Sequence, residues 1–194
     1  MVTAALAPNT VLTMARNGAS RSSAEDVGVD AFHWNHCFVT GLAEVDAQHH
    51  HLAQVINRFG NLVMREDDAS AQALEAVFTE LAAYAQYHFN EEEALMEATH
   101  LDARHVVHHQ RSHRKFLHEA TQLHRGVLAH KPGAARSLLQ YLTDWLAYHI
   151  QGSDRAMARQ IAAVRAGLRP EEAYLAETSR DKAANTTVLS AANA

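Results

Sequence analysis

The chain has 194 residues, which is enough for one domain with an apolar core but short for two domains. Hydrophobic residues make up 47% of it, with 8 Gly and 3 Pro, a composition typical of a helix-rich protein rather than a turn-rich β fold. The net charge of −5 argues against a nucleic-acid partner, because nucleic-acid binding usually needs a basic face.

The single cysteine, Cys37, excludes an intramolecular disulfide framework and is typical of a reducing compartment. No apolar run reaches the roughly 18 residues that a membrane span needs. The first residues also lack a basic segment ahead of their apolar part, as a signal peptide would have. We therefore expect a soluble cytoplasmic protein with no membrane association.

Three regions are expected along the chain. Residues 1–30 show no sustained periodicity and are predicted to be a flexible leader. Residues 31–167 carry the helical patterns described next. Residues 168–194 are polar and Ala-rich, and we expect a flexible tail with at most a weak helical turn at 171–177. Both extensions are candidates for contacting a protein partner.

Four segments repeat apolar residues at helical intervals of three and four. The first segment carries Val45, His49, Leu52, Ile56, Phe59 and Val63. The second carries Leu74, Val77, Leu81, Tyr84, His88, Glu92 and Leu95. The third carries Val106, His109, His113, Phe116, Ala120, Leu123 and Val127. The fourth carries Leu138, Leu142, Trp145 and His149, and continues with Met157, Ile161 and Val164.

The links between these segments are short, at about 65–70, 98–102 and 130–134. Asp68 or Ser70 could cap the second helix, and Pro132 with Gly133 marks the last turn. Short links make sequential helices antiparallel neighbours, so we predict an all-α fold, an antiparallel up-down-up-down four-helix bundle.

The chain contains 15 His, and each of the four apolar seams carries at least one of them. Residues four apart lie on one helix face, so the pair His88/Glu92 and the pair His109/His113 can each reach a common site. Glu91 and Glu93 fall to either side of this face, and we expect both to stay solvated. A lone seam histidine is more often a hydrogen-bonded core residue than a ligand. Several of them beside a buried glutamate are costly unless a cation balances them, which favours a metal site.

The spacing leaves one alternative open, because His105/His109 has the same spacing of four as His109/His113. We prefer the second pair, because Phe116 and Leu117 follow it and return the stripe to apolar residues. Eight further histidines are expected at the surface or flank of the bundle: His33, His36, His50, His51, His100, His118, His124 and His130.

Five imidazoles exceed the three or four ligands of one zinc ion, so two ions are the economical interpretation. The one ExxH motif, residues 97–100, lies at a helix end, unlike the paired motifs of carboxylate-rich di-iron bundles. A neutral, nitrogen-rich shell stabilises high-valent iron less well than four carboxylates. This favours reversible binding of a small ligand over oxidative catalysis.

Four blocks, one on each predicted helix, resemble the hemerythrins, specifically the bacteriohemerythrins. They are FHWNHCFVTGLAEVDAQHHHLAQVIN (32–57), YHFNEEEALM (87–96), HQRSHRKFL (109–117) and WLAYHIQGSDRAM (145–157). The resemblance implies a non-haem di-iron site, with two oxo- or hydroxo-bridged iron ions and an open position for O2. The implied ligands are His49, His88, Glu92, His109, His113, His149 and Asp154.

In the resemblance, Glu92 and Asp154 bridge the irons, one iron takes His109, His113 and His149, and the other takes His49 and His88. Asp154 is implied by the family pattern alone, since it stands five residues after His149, about 140° around an ideal α-helix. The segment ATHLDARHVVH (98–108) replaces the turn found in many relatives between the second and third helices. The resemblance also implies an apolar wall around the O2 pocket, formed by Leu52, Phe89, Trp145 and Leu146.

The expected function is therefore O2 binding, as a carrier, store or local supply, without enzymatic activity. Two alternatives remain at this point: an O2 or redox sensor that acts through a partner, and a di-iron peroxidase or NO-reactive enzyme. The sequence offers no acid–base residue in the pocket beyond the ligands, which makes the enzyme the weaker of these.

Overall fold

The computed structural model describes residues 30–65 and 71–191, and within these ranges every regular element is helical. A 3-10 helix, His36–Phe38, precedes α1, and a π-helical segment, Ile150–Asp154, joins α4 to α5. The α-helices are α1 (Ala43–Met64), α2 (Ala71–Ala98), α3 (Ala103–Leu128), α4 (Ala134–His149), α5 (Arg155–Arg165) and α6 (Pro170–Ala191). The predicted all-α class is confirmed. No helix among the described residues has the length and apolarity needed to cross a membrane.

The first four helices form the bundle in chain order. Helix α1 packs on α2, α2 on α3, α3 on α4, and α4 closes the ring against α1. The fourth predicted helix is divided in the structure, because the π-helical segment interrupts it between α4 and α5. The tight link between α2 and α3 ends at Asp102, whose side chain accepts the backbone N–H of Arg104 and caps α3. Gly133, with φ of 75°, supplies the left-handed residue before α4.

The segment before α1 is tied to the bundle by paired hydrogen bonds. The backbone N–H of Phe32 donates to Asn57 Oδ1 at 2.7 Å, and Asn57 Nδ2 donates back to the Phe32 carbonyl at 3.0 Å. Gly60 lies on the next turn of α1, where a Cβ would approach Ala31 Cβ to 2.9 Å. Trp34 packs on Phe32 and, by ring contact, on His50, as a residue covering the bundle end should.

The apolar core consists of two clusters along the bundle. The larger contains Leu52, Phe59, Phe78, Leu81, Phe89, Phe116, Leu138, Leu142 and Leu146 among others. The smaller contains Met96, Leu101, Met157 and Ile161. On α2 the buried stripe runs through Phe78, Leu81, Ala85, His88, Phe89, Glu92 and Met96, so it is rotated slightly from the predicted one, which used half-buried Leu74, Val77, Tyr84 and Leu95.

Two expectations about the ends of the chain fare differently. The predicted leader and the capping residues Asp68 and Ser70 lie outside the described residues. The tail predicted from residue 168 contains a helix, α6, whose first turns pack against α5. Ala173 is buried there, and the Glu177 carboxylate pairs with the Arg159 guanidinium. Alanine has a high helix propensity, but an isolated helix is marginal in water even when it is Ala-rich, so the packing against α5 stabilises α6.

Candidate metal centre

The seven residues expected as ligands lie in one buried layer of the bundle. Six come from the four bundle helices and one from the π-helical segment: His49, His88, Glu92, His109, His113, His149 and Asp154. All have relative exposures of 5% or less. Burying two carboxylates costs several kcal/mol each unless a positive charge is close, so the layer needs a cation or protonated imidazoles.

Glu92 lies at the centre of the layer. Its Oε2 is 3.3 Å from His109 Nε2, 3.2 Å from His113 Nε2 and 3.7 Å from His88 Nε2. Its Oε1 faces the other side and lies 3.9 Å from His49 Nε2. The side chain therefore contacts imidazoles from three helices and can supply one oxygen to each of two positions.

Asp154 spans the same layer from the opposite side. Its Oδ1 lies 3.1 Å from His149 Nε2 and 3.3 Å from His109 Nε2. Its Oδ2 lies 3.1 Å from His49 Nε2. Like Glu92, it presents one oxygen to each half of the layer.

Six of the seven residues form two groups that share Glu92, and within each group the ligand atoms lie within 4.8 Å of one another, whereas Asp154 belongs to neither group. The three-histidine position is made by Glu92, His109, His113 and His149. The two-histidine position is made by His49, His88 and Glu92. Atoms bound at about 2.0–2.2 Å to one ion lie about 3.0–3.4 Å apart, and most of the separations above match that range.

Several of these atoms approach closely without forming hydrogen bonds. Among the described residues, both ring nitrogens of His49, both oxygens of Asp154 and Oε1 of Glu92 are buried with no hydrogen-bond partner. Buried polar atoms without partners are rare in folded proteins. A metal ion bound among these atoms would satisfy them together.

The contact between His113 and His149 supports the same interpretation. Their Nε2 atoms are 3.1 Å apart. The Nδ1 of His113 lies 3.1 Å from Glu93 Oε1, and a carboxylate can only accept, so Nδ1 carries the hydrogen. The Nε2 of His113 faces both His149 and Glu92, and a cation bound between these groups would hold them together.

Without an ion, protonated imidazoles supply the positive charge that offsets the two carboxylates. Burial and the nearby Asp154 raise the pKa of Glu92, but His88 and hydrogen bonds from two further imidazoles outweigh them and hold it well below its usual range. Burial also raises the pKa of Asp154, yet contacts with His149 and two further imidazoles hold this pKa far below the ordinary value. Both groups are therefore ionised.

The pKa values of the imidazoles are shifted in opposite directions. Burial lowers the pKa of His109, but the carboxylates of Asp154 and Glu92, each 3.3 Å from its Nε2, raise it to about 10. For His88 burial dominates, and its pKa falls to about 4. The metal-free layer thus holds two carboxylates with protonated and neutral imidazoles interleaved, which is the charge pattern that a divalent ion would replace.

Three ligand rings are also held from outside the layer. His88 Nδ1 donates to Gln48 Oε1 at 2.8 Å, and His113 Nδ1 donates to Glu93 Oε1 at 3.1 Å. His149 Nδ1 lies 3.3 Å from Ser112 Oγ. These contacts direct each Nε2 inward. Gln48 and Ser112 were not singled out from the sequence, although each directly precedes a predicted ligand.

The expectation that Glu93 stays solvated is wrong in part, because its side chain is 31% exposed and bonded to His113. Glu91 is exposed as expected. His124 was expected at the surface but is buried, stacked on Phe78 at 3.8 Å with Nε2 2.9 Å from Glu75. The apolar ring face of a histidine can fill a core position while its edge meets a carboxylate.

The π-helical segment explains how Asp154 reaches the layer. An α-helix would place it about 140° from His149, but the i to i+5 geometry of a π-helix widens the turn. Asp154 thus lies on the same side as His149, and their side chains are 3.1 Å apart. Gly152 lies in the middle of this segment.

The structure separates the two possible pairs on α3. His109 and His113 both face Glu92. His105 is buried one turn earlier, where its Nδ1 lies 3.0 Å from Gln160 Nε2. Its position is that of a core histidine beside the layer.

An apolar wall borders the layer on one side. Phe89 stacks on His113 with ring centroids 3.9 Å apart, and Trp145 stacks on His149 at 4.1 Å. Leu52 and Leu146, both buried, lie with these two rings around a small apolar cavity. At about 10 Å³ this cavity has room for roughly one water-sized molecule.

The comparisons with known proteins agree with this geometry at the level of the family. The family model described as the hemerythrin HHE cation binding domain matches residues 40–161, well over half of the chain. This span includes all seven residues of the layer. No curated protein matches the chain significantly.

Proposed function

Since the chain belongs to the hemerythrin family, we propose that its buried layer holds two iron ions and binds O2 reversibly, as an oxygen carrier, store or local supply. The observation that carries this proposal is the convergence of five imidazoles and two carboxylates, several of whose atoms have no other partner among the described residues. The two-histidine position would keep one coordination site open, because it has one protein ligand fewer than the other.

The residues fit the group chemically. Imidazoles and carboxylates are ordinary ligands of iron, and the two carboxylates would offset about half of the charge of two divalent ions. Bound iron would supply the electrons that O2 binding requires. Glu92 and Asp154 would each join the two positions, and the Nδ1–H contacts would hold His88 and His113 in the tautomer that leaves Nε2 free.

The apolar wall would favour reversible binding at the site. The described residues that line the small cavity, Phe89, Trp145, Leu52 and Leu146 among them, are all apolar. Such a wall keeps water and protons away from a bound anionic ligand and slows irreversible oxidation of the iron. Binding without turnover also agrees with the pocket, whose lining contains no acid–base side chain.

The test is anaerobic reconstitution with Fe²⁺ and iron quantification, then an optical spectrum in air and again after O2 is removed. We expect two irons per chain and a visible band that appears with O2 and disappears without it. A chain that binds no iron would overturn the proposal. Two irons with rapid irreversible oxidation would leave the site intact but refute reversible binding.

A sensor is the second candidate, and one observation favours it. Helix α6 faces the π-helical segment across a cavity of about 620 Å³, lined by Gln151, Gly152 and Ser153 on one side and by Tyr174, Glu177 and Thr178 on the other. Asp154 ends that segment, so a change at Asp154 could reach α6. Hydrogen exchange of α6 that differs between the oxygenated and deoxygenated protein would support the sensor, and identical exchange would exclude this route.

A further inference from the structure

The outer contacts of the ligand histidines differ in charge between the two metal positions. At the three-histidine position, His113 donates its Nδ1–H to the Glu93 carboxylate at 3.1 Å. At the two-histidine position, His88 donates its Nδ1–H to the Gln48 amide oxygen at 2.8 Å. The geometry of the two contacts is alike, but one acceptor carries a negative charge and the other does not.

A charged acceptor changes the imidazole it holds. A carboxylate behind Nδ1–H draws that proton outward and makes Nε2 a stronger electron donor, whereas an amide oxygen does so less. Electron donation from a ligand stabilises the higher charge on the ion it binds. The side chain of Glu93 is about one-third exposed, so solvent weakens its charge without removing it.

The two acceptor contacts lie between different pairs of helices. Gln48 lies on α1 and reaches the ring of His88 on α2, while Glu93 lies on α2 and reaches the ring of His113 on α3. Each position therefore has its own outer acceptor on a separate helix pair, and a substitution at one acceptor need not disturb the other.

We propose that Glu93 is a positioning residue that holds His113 by a charged hydrogen bond and makes the three-histidine position the tighter of the two ion sites. Gln48 is its neutral counterpart and leaves the two-histidine position the weaker and more easily changed one. This inference rests on the proposed function, because it assigns different properties to the two ion positions of the same site.

The variants follow from this difference. Glu93→Gln keeps an acceptor and removes the charge, Glu93→Ala removes both, and Gln48→Glu adds a charge at the other position. Glu91→Gln is the matched control, since it removes one charge from an exposed neighbour on the same helix. None of the four changes a residue of the layer itself.

The first measurement is anaerobic titration of Fe²⁺ against a chelator of known affinity, resolved into two binding steps. We expect Glu93→Gln to weaken the tighter step about 10-fold or more and to leave the weaker step unchanged. Gln48→Glu should tighten the weaker step alone. Equal affinities for Glu93→Gln and Glu91→Gln would overturn the proposal, and so would effects of Glu93→Gln and Gln48→Glu on the same step.

The second measurement needs no metal. In ¹⁵N-labelled metal-free protein, the Nδ1–H of His113 should give an NMR signal protected from solvent exchange, kept in Glu93→Gln and lost in Glu93→Ala. A signal unchanged in Glu93→Ala would overturn the positioning role. If the unmodified chain binds no Fe²⁺, the proposed function fails. Normal Fe²⁺ binding that no Glu93 variant alters refutes this inference alone.

Discussion

Replacing Asp154 by Asn tests the assignment that depends most on the irregular backbone. The carboxylate sends Oδ1 to His149 and His109 and Oδ2 to His49, so it contacts both halves of the layer. Asparagine keeps the shape and one oxygen, but it turns an amide nitrogen, which cannot bind an ion, toward one of the halves. We expect the variant to hold about one iron per chain instead of two.

The loss should be visible in stability as well. An ion present at 100 times its Kd stabilises the folded state by about 2.7 kcal/mol, so losing one of two ions removes about that much of the metal-dependent gain. For a domain of this size, each kcal/mol corresponds to about 2–4 °C in Tm. The variant should therefore show a metal-dependent rise in Tm about 5–10 °C smaller than that of the unmodified chain.

Iron quantification and thermal unfolding followed by circular dichroism, with and without Fe²⁺ under anaerobic conditions, measure both quantities. The matched control is Asp144→Asn, an exposed carboxylate on α4 that accepts a hydrogen bond from Gln140 Nε2 at 2.8 Å. The control should bind two irons and keep the full rise in Tm. If Asp154→Asn does the same, Asp154 is not a ligand, and the π-helical segment needs another explanation.

Three further predictions concern the wall and the neighbour of the layer. Phe89→Ala should destabilise the metal-free protein by about 3–5 kcal/mol in urea unfolding, because it removes a buried ring, and should speed irreversible oxidation of the reconstituted protein in stopped-flow spectra. His105→Leu should keep two irons per chain whereas His113→Leu should lose one, and the reverse result would restore the His105/His109 pair. Burial lowers the pKa of His105 to about 4, so folding favours its neutral ring. The contribution of this ring to the free energy of unfolding is complete above pH 6.5 and is lost as the pH falls toward 4. Urea unfolding at pH 7 and pH 4 measures how much the free energy of unfolding falls with acid. We expect this fall to be smaller in His105→Leu than in the unmodified chain by on the order of 2–3 kcal/mol. Equal falls in the two proteins would contradict this.

Periodicity was sufficient for those parts of the site that lie on regular helices. His49, His88, Glu92, His109 and His113 continue apolar stripes, and the structure buries all of them in one layer. The same stripes, with short links, indicated the order of the helices. The prediction from periodicity succeeded because a buried helix face repeats its apolar residues in every turn.

Periodicity failed where the backbone departs from the α-helix or where a contact crosses between helices. Asp154 was out of phase because a π-helical turn cannot be recognised from residue spacing. Glu93 was expected to stay solvated, because residue spacing along α2 gives no information about the His113 ring on α3 that contacts it. Helix α6 was missed because an Ala-rich segment has no distinct apolar stripe, and its position depends on α5.

The acidic stretch at residues 88–93 is tolerated because the layer divides the core of the bundle. Along α2 the larger apolar cluster ends at Phe89 and the smaller one includes Met96, with Glu92 between them. The outer contacts around this layer each join neighbouring helices: Gln48 joins α1 to α2, Glu93 joins α2 to α3, and Ser112 joins α3 to α4. An ion that fixes the inner nitrogens also fixes these outer bonds, so ion binding should order the whole bundle rather than one helix pair. A buried polar layer then contributes to stability only when it is filled, and this links the folding of the domain to its supply of metal.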